Sequence, residues 1–258
     1  MAARWSLRTK LVVVVILALL PVVAVVGWQI DSNEVSRDGQ RVEAAASVLQ
    51  LAVARDRELI ESARRVLTAV CAENSVSESA APDASQAELS RCGLYLARVL
   101  EQFPDEYSAA LVTDDKGVAR CSSAATVVGM GFGDREVFRS VRDSSKFAVG
   151  SYVASRVTPI SILPVALPIQ RNGNFGGMCA MGISRRWLAD AVTAVSPDGE
   201  IAVVLIDHAG AAIGGNADFA RMLPRPGRAA AAVALGESTF RDYGRDGSLH
   251  DFSIRPLS

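Results

Sequence analysis

Tyr107–Ser123 reads YSAALVTDDKGVARCSS, and its pattern returns over Ile201–Gly215 as IAVVLIDHAGAAIGG. In both copies a run of small and β-branched apolar residues reaches an Asp (Asp114, Asp207), passes two residues to a Gly (Gly117, Gly210), and resumes as a second apolar run. Asp and Gly accommodate the backbone of a tight turn, while Val, Ile and Leu suit a pleated, half-buried surface. Each copy therefore predicts a β-hairpin, and the recurrence predicts two related sheets. One recurrence is too few for a solenoid.

The 258 residues are enough for one or two domains, and half of them are hydrophobic. A mean hydropathy of +0.22 is high for a wholly soluble chain. The excess lies in Leu11–Trp28, LVVVVILALLPVVAVVGW, which carries no charge over 18 positions and so approaches the roughly 20 residues that cross a bilayer core. Arg4, Arg8 and Lys10 precede it and Asp31 and Glu34 follow it, which keeps the N-terminus in the cytoplasm and puts everything from residue 29 onward outside. A cleaved signal peptide is the rival reading, but the apolar run is long for one and no small-x-small cleavage site closes it. The net charge of −1 removes any general electrostatic argument for nucleic-acid binding.

Residues 29–71 contain no Pro and a single Gly, Gly39, and their apolar positions fall into heptads. One row is Val35, Val42, Leu49, Ala63 and Val70, interrupted by Asp56; the other is Ala46, Val53, Ile60 and Leu67. This predicts a long helix with a seam that needs a partner, either a second copy of itself or the sheets that follow. Continuous with the spanning segment, the helix is placed to carry a displacement to the bilayer.

A polar loop after Cys71 leads to a helix starting near Ser85 or Gln86 and ending near Phe103. Asp134 is a candidate N-cap for a short helix in DREVFRSVRDS. Strands are expected over Phe147–Ala154, Ile160–Gln170 and Gly176–Ser184, the last two joined by a tight turn at Asn172 and Gly173. Pro164 and Pro168 argue for an edge or a bulge in the middle one.

The order of these elements resembles the double Cache sensor domains, which are PAS-like and lie outside the membrane in bacterial receptors, sensor histidine kinases and diguanylate cyclases. LVTDDKGVARCSS, GDREVF, FAVGSYVASRVTPISILPVALPI and GGMCAMGISRRWL are similar to the membrane-distal lobe of that family, and VVLIDHAGAAIG with GRDGSLHDFSIRPL to the proximal one. The resemblance implies an α+β protein with a cytoplasmic N-terminus over residues 1–10, a transmembrane helix over 11–28, a stalk helix over 29–71, a distal lobe over 72–189 and an incomplete proximal lobe over 190–258. It implies a small-molecule sensor at the bacterial plasma membrane, dimeric through the stalk, that signals to a cytoplasmic output module such as a histidine kinase. Such domains continue to a last strand, a second spanning helix and the output, whereas this sequence stops at FSIRPLS. Whether it is a fragment or has lost its output stays open. A ligand-free structural or dimerising module at the membrane is the alternative function.

An enzyme is not expected, because His208 and His250 have no Cys, Asp or Glu at a spacing that builds a metal site or a triad, and there is no phosphate loop or nucleophile elbow. No cofactor is expected either. Cys71, Cys92, Cys121 and Cys179 all follow the anchor, in a compartment where disulfides persist. Cys92 and Cys121 are the candidate bridge, and Cys179, amid GGMCAMG, is expected to be a free, buried apolar residue.

In amino-acid-binding members of the resembled family, the distal lobe uses an Arg followed by x-Trp-Tyr, a later Tyr, and an Asp on the last strand that holds the ligand's ammonium group. Here Arg135 matches the Arg, Phe138 replaces the Tyr and Tyr152 matches the later Tyr, but Val137 stands in place of Trp and Gly182 in place of Asp. A buried α-ammonium would be unpaired, at a cost of several kcal/mol. The expected ligand is therefore an anionic metabolite, a carboxylate without an α-amino group, gripped by Arg135, whose guanidinium meets a carboxylate in a fork of two hydrogen bonds. Arg156, Ser155 and Thr158 are candidates for the rest of the polar wall.

Overall fold

A computed structural model of the protein describes residues 43–194, 201–206, 212–215, 222–225, 227–236 and 238–254. The expected cytoplasmic segment, the spanning helix 11–28, the first part of the stalk, and Asp207 and His208 lie outside these residues. Among the described residues no helix is long and apolar enough to cross a membrane. The chain divides into two compact units, residues 1–47 and 48–258, and only 43–47 of the first are described.

A helix, α1, occupies residues 43–71. Its buried positions are Ala52, Asp56, Leu59, Ala63, Leu67 and Val70, steps of three and four that form one face. Ala63 and Val70 come from one expected row and Leu67 from the other, but Ala52 and Leu59 belong to neither. Asp56, expected to break the seam, lies within it at 7% exposure. The face is set by what it meets: Ala52 packs on Val203, and Leu59 to Val70 pack on the central sheet. Burial pushes the Asp56 carboxyl up from 3.8 to about 6.

After α2 (Asn74–Ser79) comes α3, Gln86–Gln102, where the sequence expected it. Ser85 and Glu88 close a capping box: the Glu88 N–H donates to Ser85 Oγ at 3.3 Å and the Ser85 N–H to Glu88 Oε2 at 2.6 Å. The first predicted hairpin follows as β1 (Tyr107–Asp114) and β2 (Ala119–Ser122). Asp114 Oδ1 shapes its turn, accepting from the N–H groups of Lys116 at 3.0 Å and Val118 at 2.9 Å. Gly117 is needed twice over, with φ at +82° and the Gly133 nitrogen only 2.5 Å from where a Cβ would sit.

Helix α4 (Glu136–Ser144) is followed by two short strands, β3 (Ala148–Val149) and β4 (Val153–Ala154), in place of the continuous strand expected over 147–154. Then come β5 (Ser161–Arg171) and β6 (Asn174–Ser184), joined through Asn172 and Gly173 at φ 51° and 77°. The strands form one antiparallel sheet in the order β2-β1-β6-β5-β3, with β4 also on β5. Strand β5 pairs along its length with β6, while β3 and β4 each cover only two residues of its outer side. The Pro164 carbonyl accepts from the Gly150 N–H at 2.8 Å, so the proline nitrogen faces that same outer side, where the β6 ladder loses nothing by its missing donor.

Side chains alternate between the two faces of this sheet. Val112, Val165, Cys179, Met181 and Ile183 pack with α1 and with Cys92 and Leu96 of α3. Leu111, Ala166, Met178 and Ala180 pack with Val137, Phe138 and Val141 of α4. Two disulfides staple the first face. Cys92–Cys121 ties α3 to β2, as expected, with Cα atoms 6.0 Å apart. Cys71–Cys179, at 6.1 Å, corrects the expectation that Cys179 is free. The last residue of α1 comes down over the middle of β6, whose odd-numbered side chains face that helix.

Helix α5 (Arg185–Thr193) leads to the second predicted hairpin, β7 (Val204–Ile206) with β8 (Ala212–Gly215), whose turn lies outside the described residues. Leu188 and Ile213 join the main core. Helix α6 (Arg228–Ala234) precedes the hairpin of β9 (Thr239–Tyr243) and β10 (Leu249–Ser253), where Phe240 stacks on Phe252 at 5.1 Å. The class is α+β, with antiparallel sheets and a long helix ahead of them, as expected at that level.

Candidate ligand-binding site

On the face of the sheet away from α1, a cavity of about 60 Å³ lies between the strands, the start of α4 and the segment 150–157. At roughly 10–15 Å³ per water-sized occupant, it has room for about four to six such groups. Ala109, Ala180 and Gly182 keep its floor low, and Met178, Ile162 and Pro164 complete it. Ile162 leans over Gly182, where an added Cβ would come within 2.6 Å of the Ile162 Cδ1. The roof is Ser151 and Val153 to Val157. Gly150 starts it, because any larger residue would be driven into Val137, 2.9 Å from an added Cβ, and Pro164, at 3.0 Å.

The polar groups gather at the rim, where α4 begins. The N-cap position belongs to Arg135, not to Asp134 as the sequence suggested. Asp134 is held by Arg156 instead, through Nη1 to Oδ1 at 2.8 Å and Nη2 to Oδ2 at 2.7 Å. Arg156 also donates to the Gly131 carbonyl at 2.6 Å and lies 5.7 Å above the Phe132 ring. The Arg156 hydrogen bonds hold the Asp134 carboxyl below the usual carboxylate range, and Asp134 in turn raises the pKa of Arg156. Glu136 accepts from the Ser151 N–H at 3.3 Å and from the Ser151 hydroxyl. The roof is thus fastened to the start of α4 at Ser151, Ala154 and Arg156.

Arg135 is the cation left with capacity. Among the described residues it makes one hydrogen bond, from Nη2 to the Ala154 carbonyl at 3.3 Å, which leaves most of its five donors unused. Asp134 and Asp143, which could have neutralised it in a surface ion pair, are taken by Arg156 and Arg142. Burial and then the neighbouring Arg156 charge lower its pKa, and Asp134 opposes them. An anion in the cavity would relieve both.

Of the residues read from the sequence, Arg135, Ser155 and Arg156 line the cavity and Phe138, Tyr152 and Thr158 do not. Phe138 is fully buried below α4, edge-on to Phe175 at 5.6 Å. Tyr152 packs with the α1-side core. The Thr158 hydroxyl is buried without a partner, and its N–H, like that of Val157, donates to Ser155 Oγ, which shapes the roof. Sequence reasoning missed Glu136, Ser151, Val153 and Val157. Alternation along β6 could have found the floor, since Met178, Ala180 and Gly182 share the face opposite Cys179. Tyr243 is exposed on β9. Among the described residues no group of three His, Cys, Asp or Glu side chains could hold a metal ion.

No family model matches the chain, and no curated protein matches it. Solved structures do. The sensor domain of the Vibrio cholerae histidine kinase DctB superposes with a TM-score of 0.63 at 12% identity, over 82% of this chain and 90% of that one. The sensory domain of the Campylobacter jejuni chemoreceptor Tlp3, with isoleucine bound, gives 0.59 at 9% identity over 82% and 86%. The extracellular domain of the putative histidine kinase rpHK1S-Z16 gives 0.61 at 17% identity over 85% and 90%. The chain has the fold of these extracytoplasmic sensor domains, the fold implied by its resemblance to the double Cache domains.

Proposed function

We propose that the protein is the small-molecule input region of a bacterial transmembrane signalling receptor, anchored in the plasma membrane by residues 11–28 with its bulk outside. The ligand is an anion, a carboxylate without an α-amino group, seated against Arg135 in a distal lobe formed by residues 72–189. Residues 190–258 form the proximal lobe. The chain performs no chemistry of its own. Occupancy moves α1, through which two copies pair and which leads to a cytoplasmic output such as a histidine kinase.

The observation that carries this reading is a cavity at Arg135, whose guanidinium keeps unused donors. A packed interior there would have favoured a ligand-free structural or dimerising module. Because isoleucine is bound in the Tlp3 structure, an α-amino acid is the natural competitor. Against it stands Gly182, roofed by Ile162, where a carboxylate would be needed. Glu136, the acid among the lining residues, already fastens Ser151. Transmission has a covalent route, since the cavity and α1 lie on opposite faces of β6 and Cys179 bonds that strand to the end of α1.

A thermal-shift screen of the protein against organic acids, amino acids and amines tests the reading, because a ligand at 100 times its Kd stabilises the folded state by about 2.7 kcal/mol. Organic acids should raise Tm. A standard α-amino acid as the tightest ligand would overturn the anion assignment.

A further inference from the structure

We infer that the cavity takes a short aliphatic monocarboxylate of about four to six carbons, with its carboxylate on Arg135 and its tail over Ala180 and Gly182 beneath Val153 and Val157. The inference rests on the ligand reading of this cavity and narrows it from anions in general to one class.

Three observations fix the class. The first is charge. Of the two guanidinium groups at the rim, that of Arg156 is committed to both oxygens of Asp134 and to the Gly131 carbonyl, so Arg135 alone offers a fork. A second carboxylate on the ligand would find no cation, and Glu136 at the same rim would repel it. The second is lining. Behind Arg135 the floor is Ala109, Ala180, Gly182, Met178, Ile162 and Pro164 and the roof places Val153 and Val157 over it, while the roof's two serines are already engaged, Ser151 with Glu136 and Ser155 with the N–H groups of Val157 and Thr158. The third is size. A cavity of about 60 Å³ holds about four to six water-sized groups, which matches the four to six carbons of the acid with its two oxygens at the rim against Arg135, and leaves no enclosed space for the end of a longer chain.

Size also gives the inference its sharpest reading. Each methylene moved from water into the floor should tighten binding about fourfold until the floor is full. Calorimetric titration of the protein with acetate, propanoate, butanoate, pentanoate, 3-methylbutanoate, hexanoate and octanoate should show Kd falling along the series to about five carbons, then rising by octanoate. Succinate, malate, valine and leucine should bind at least tenfold more weakly than pentanoate. In Gly182→Ala the added methyl pushes on the movable end of Ile162, so pentanoate should weaken about tenfold while propanoate is unchanged. A matching circular-dichroism melt shows that the variant is folded.

If succinate or malate binds tightest, or octanoate binds as well as pentanoate, with either binding lost in Arg135→Ala, the short-chain assignment fails and the anion reading survives. Loss of chain-length dependence in the wild-type protein likewise overturns the tail placement. If no carboxylate binds, or if binding is unaffected by Arg135→Ala, both readings fail together.

Discussion

Removing the Cys71–Cys179 bond should cost the protein about 4 kcal/mol, and the figure follows from where the bond sits. The two cysteines are 108 residues apart, and in the chain-entropy model a closed loop of about 100 residues is worth about 4.7 kcal/mol at 25 °C. Cys92 and Cys121, 29 residues apart, lie within that loop. With their bond intact, the unfolded loop is shorter by about that length, which lowers the entropic worth of the outer bond only to about 4.5 kcal/mol because the dependence is logarithmic. Cys179 is 1% exposed, so alanine is the better replacement; a serine hydroxyl there would be buried without a partner and add a penalty of its own. Urea unfolding of Cys71→Ala/Cys179→Ala should show a loss of about 3–5 kcal/mol and a steeper dependence on denaturant, because the freed unfolded chain exposes more surface. Either single variant should lose as much as the double, as expected of a shared bond. A loss below about 1 kcal/mol, or additive losses from the single variants, would refute the reasoning.

Arg135→Ala should weaken binding of the best carboxylate by at least tenfold, since a charge-assisted hydrogen bond is worth about 1.5–3 kcal/mol, and Arg135→Lys should restore part of it without the forked geometry; titration calorimetry reads both. Asp134→Asn releases Arg156 from its ion pair, whose side chains are 37% and 64% exposed. Stability should change by less than about 1 kcal/mol, while ligand dissociation, followed by stopped flow, should speed up because the roof loses a fastening. Asp56 makes the protein pH-dependent in a direction that can be worked out. Its folded pKa of about 6 lies above the ordinary 3.8, so between those values the folded state holds a proton that the unfolded state has lost, and stability falls as pH rises through that window. The resulting destabilisation, on the order of 2–3 kcal/mol, is fully present above about pH 6 and absent below about pH 4. Asp56→Asn should flatten that part of the stability profile in denaturant titrations from pH 4 to 7, and an unchanged slope would remove Asp56 as its source.

Much of the fold was legible because it is written locally. Asp114 and Gly117, Ser85 and Glu88, and Asn172 and Gly173 each act within a few residues of themselves, and the hairpins and the α3 start stand where those residues put them. What was not legible depends on partners far along the chain. Asp134 has the chemistry of an N-cap, but Arg156, 22 residues on, offers its carboxylate two charged donors where a helix start offers one neutral N–H. The buried face of α1 runs through Asp56 because Val203 and the central sheet choose it, and neither is visible in a heptad count. The candidate site divided the same way. Arg135 was readable because its segment resembles a family motif, whereas the cavity exists because Ala109, Ala180 and Gly182 lie side by side on strands that are distant in sequence.

In the proposed topology, where the chain beyond residue 28 reaches an oxidising compartment in sequence order, the nesting of the two disulfides sets an order of events. Cys92 and Cys121 belong to α3 and the β1–β2 hairpin, neighbouring elements that can pack as soon as the sequence up to Ser123 has emerged. At that moment Cys71 is already outside and its partner is not, since Cys179 follows 58 positions after Cys121. Four cysteines permit three pairings, and until β6 arrives the wrong partners for Cys71 are the two nearest to it. Early closure of the inner bond withdraws them and keeps Cys71 reduced until β6 has docked against α1. The inner pair thereby acts as a proofreader for the outer one, and a chain lacking Cys92 or Cys121 should reach the native Cys71–Cys179 bond more slowly and through scrambled intermediates.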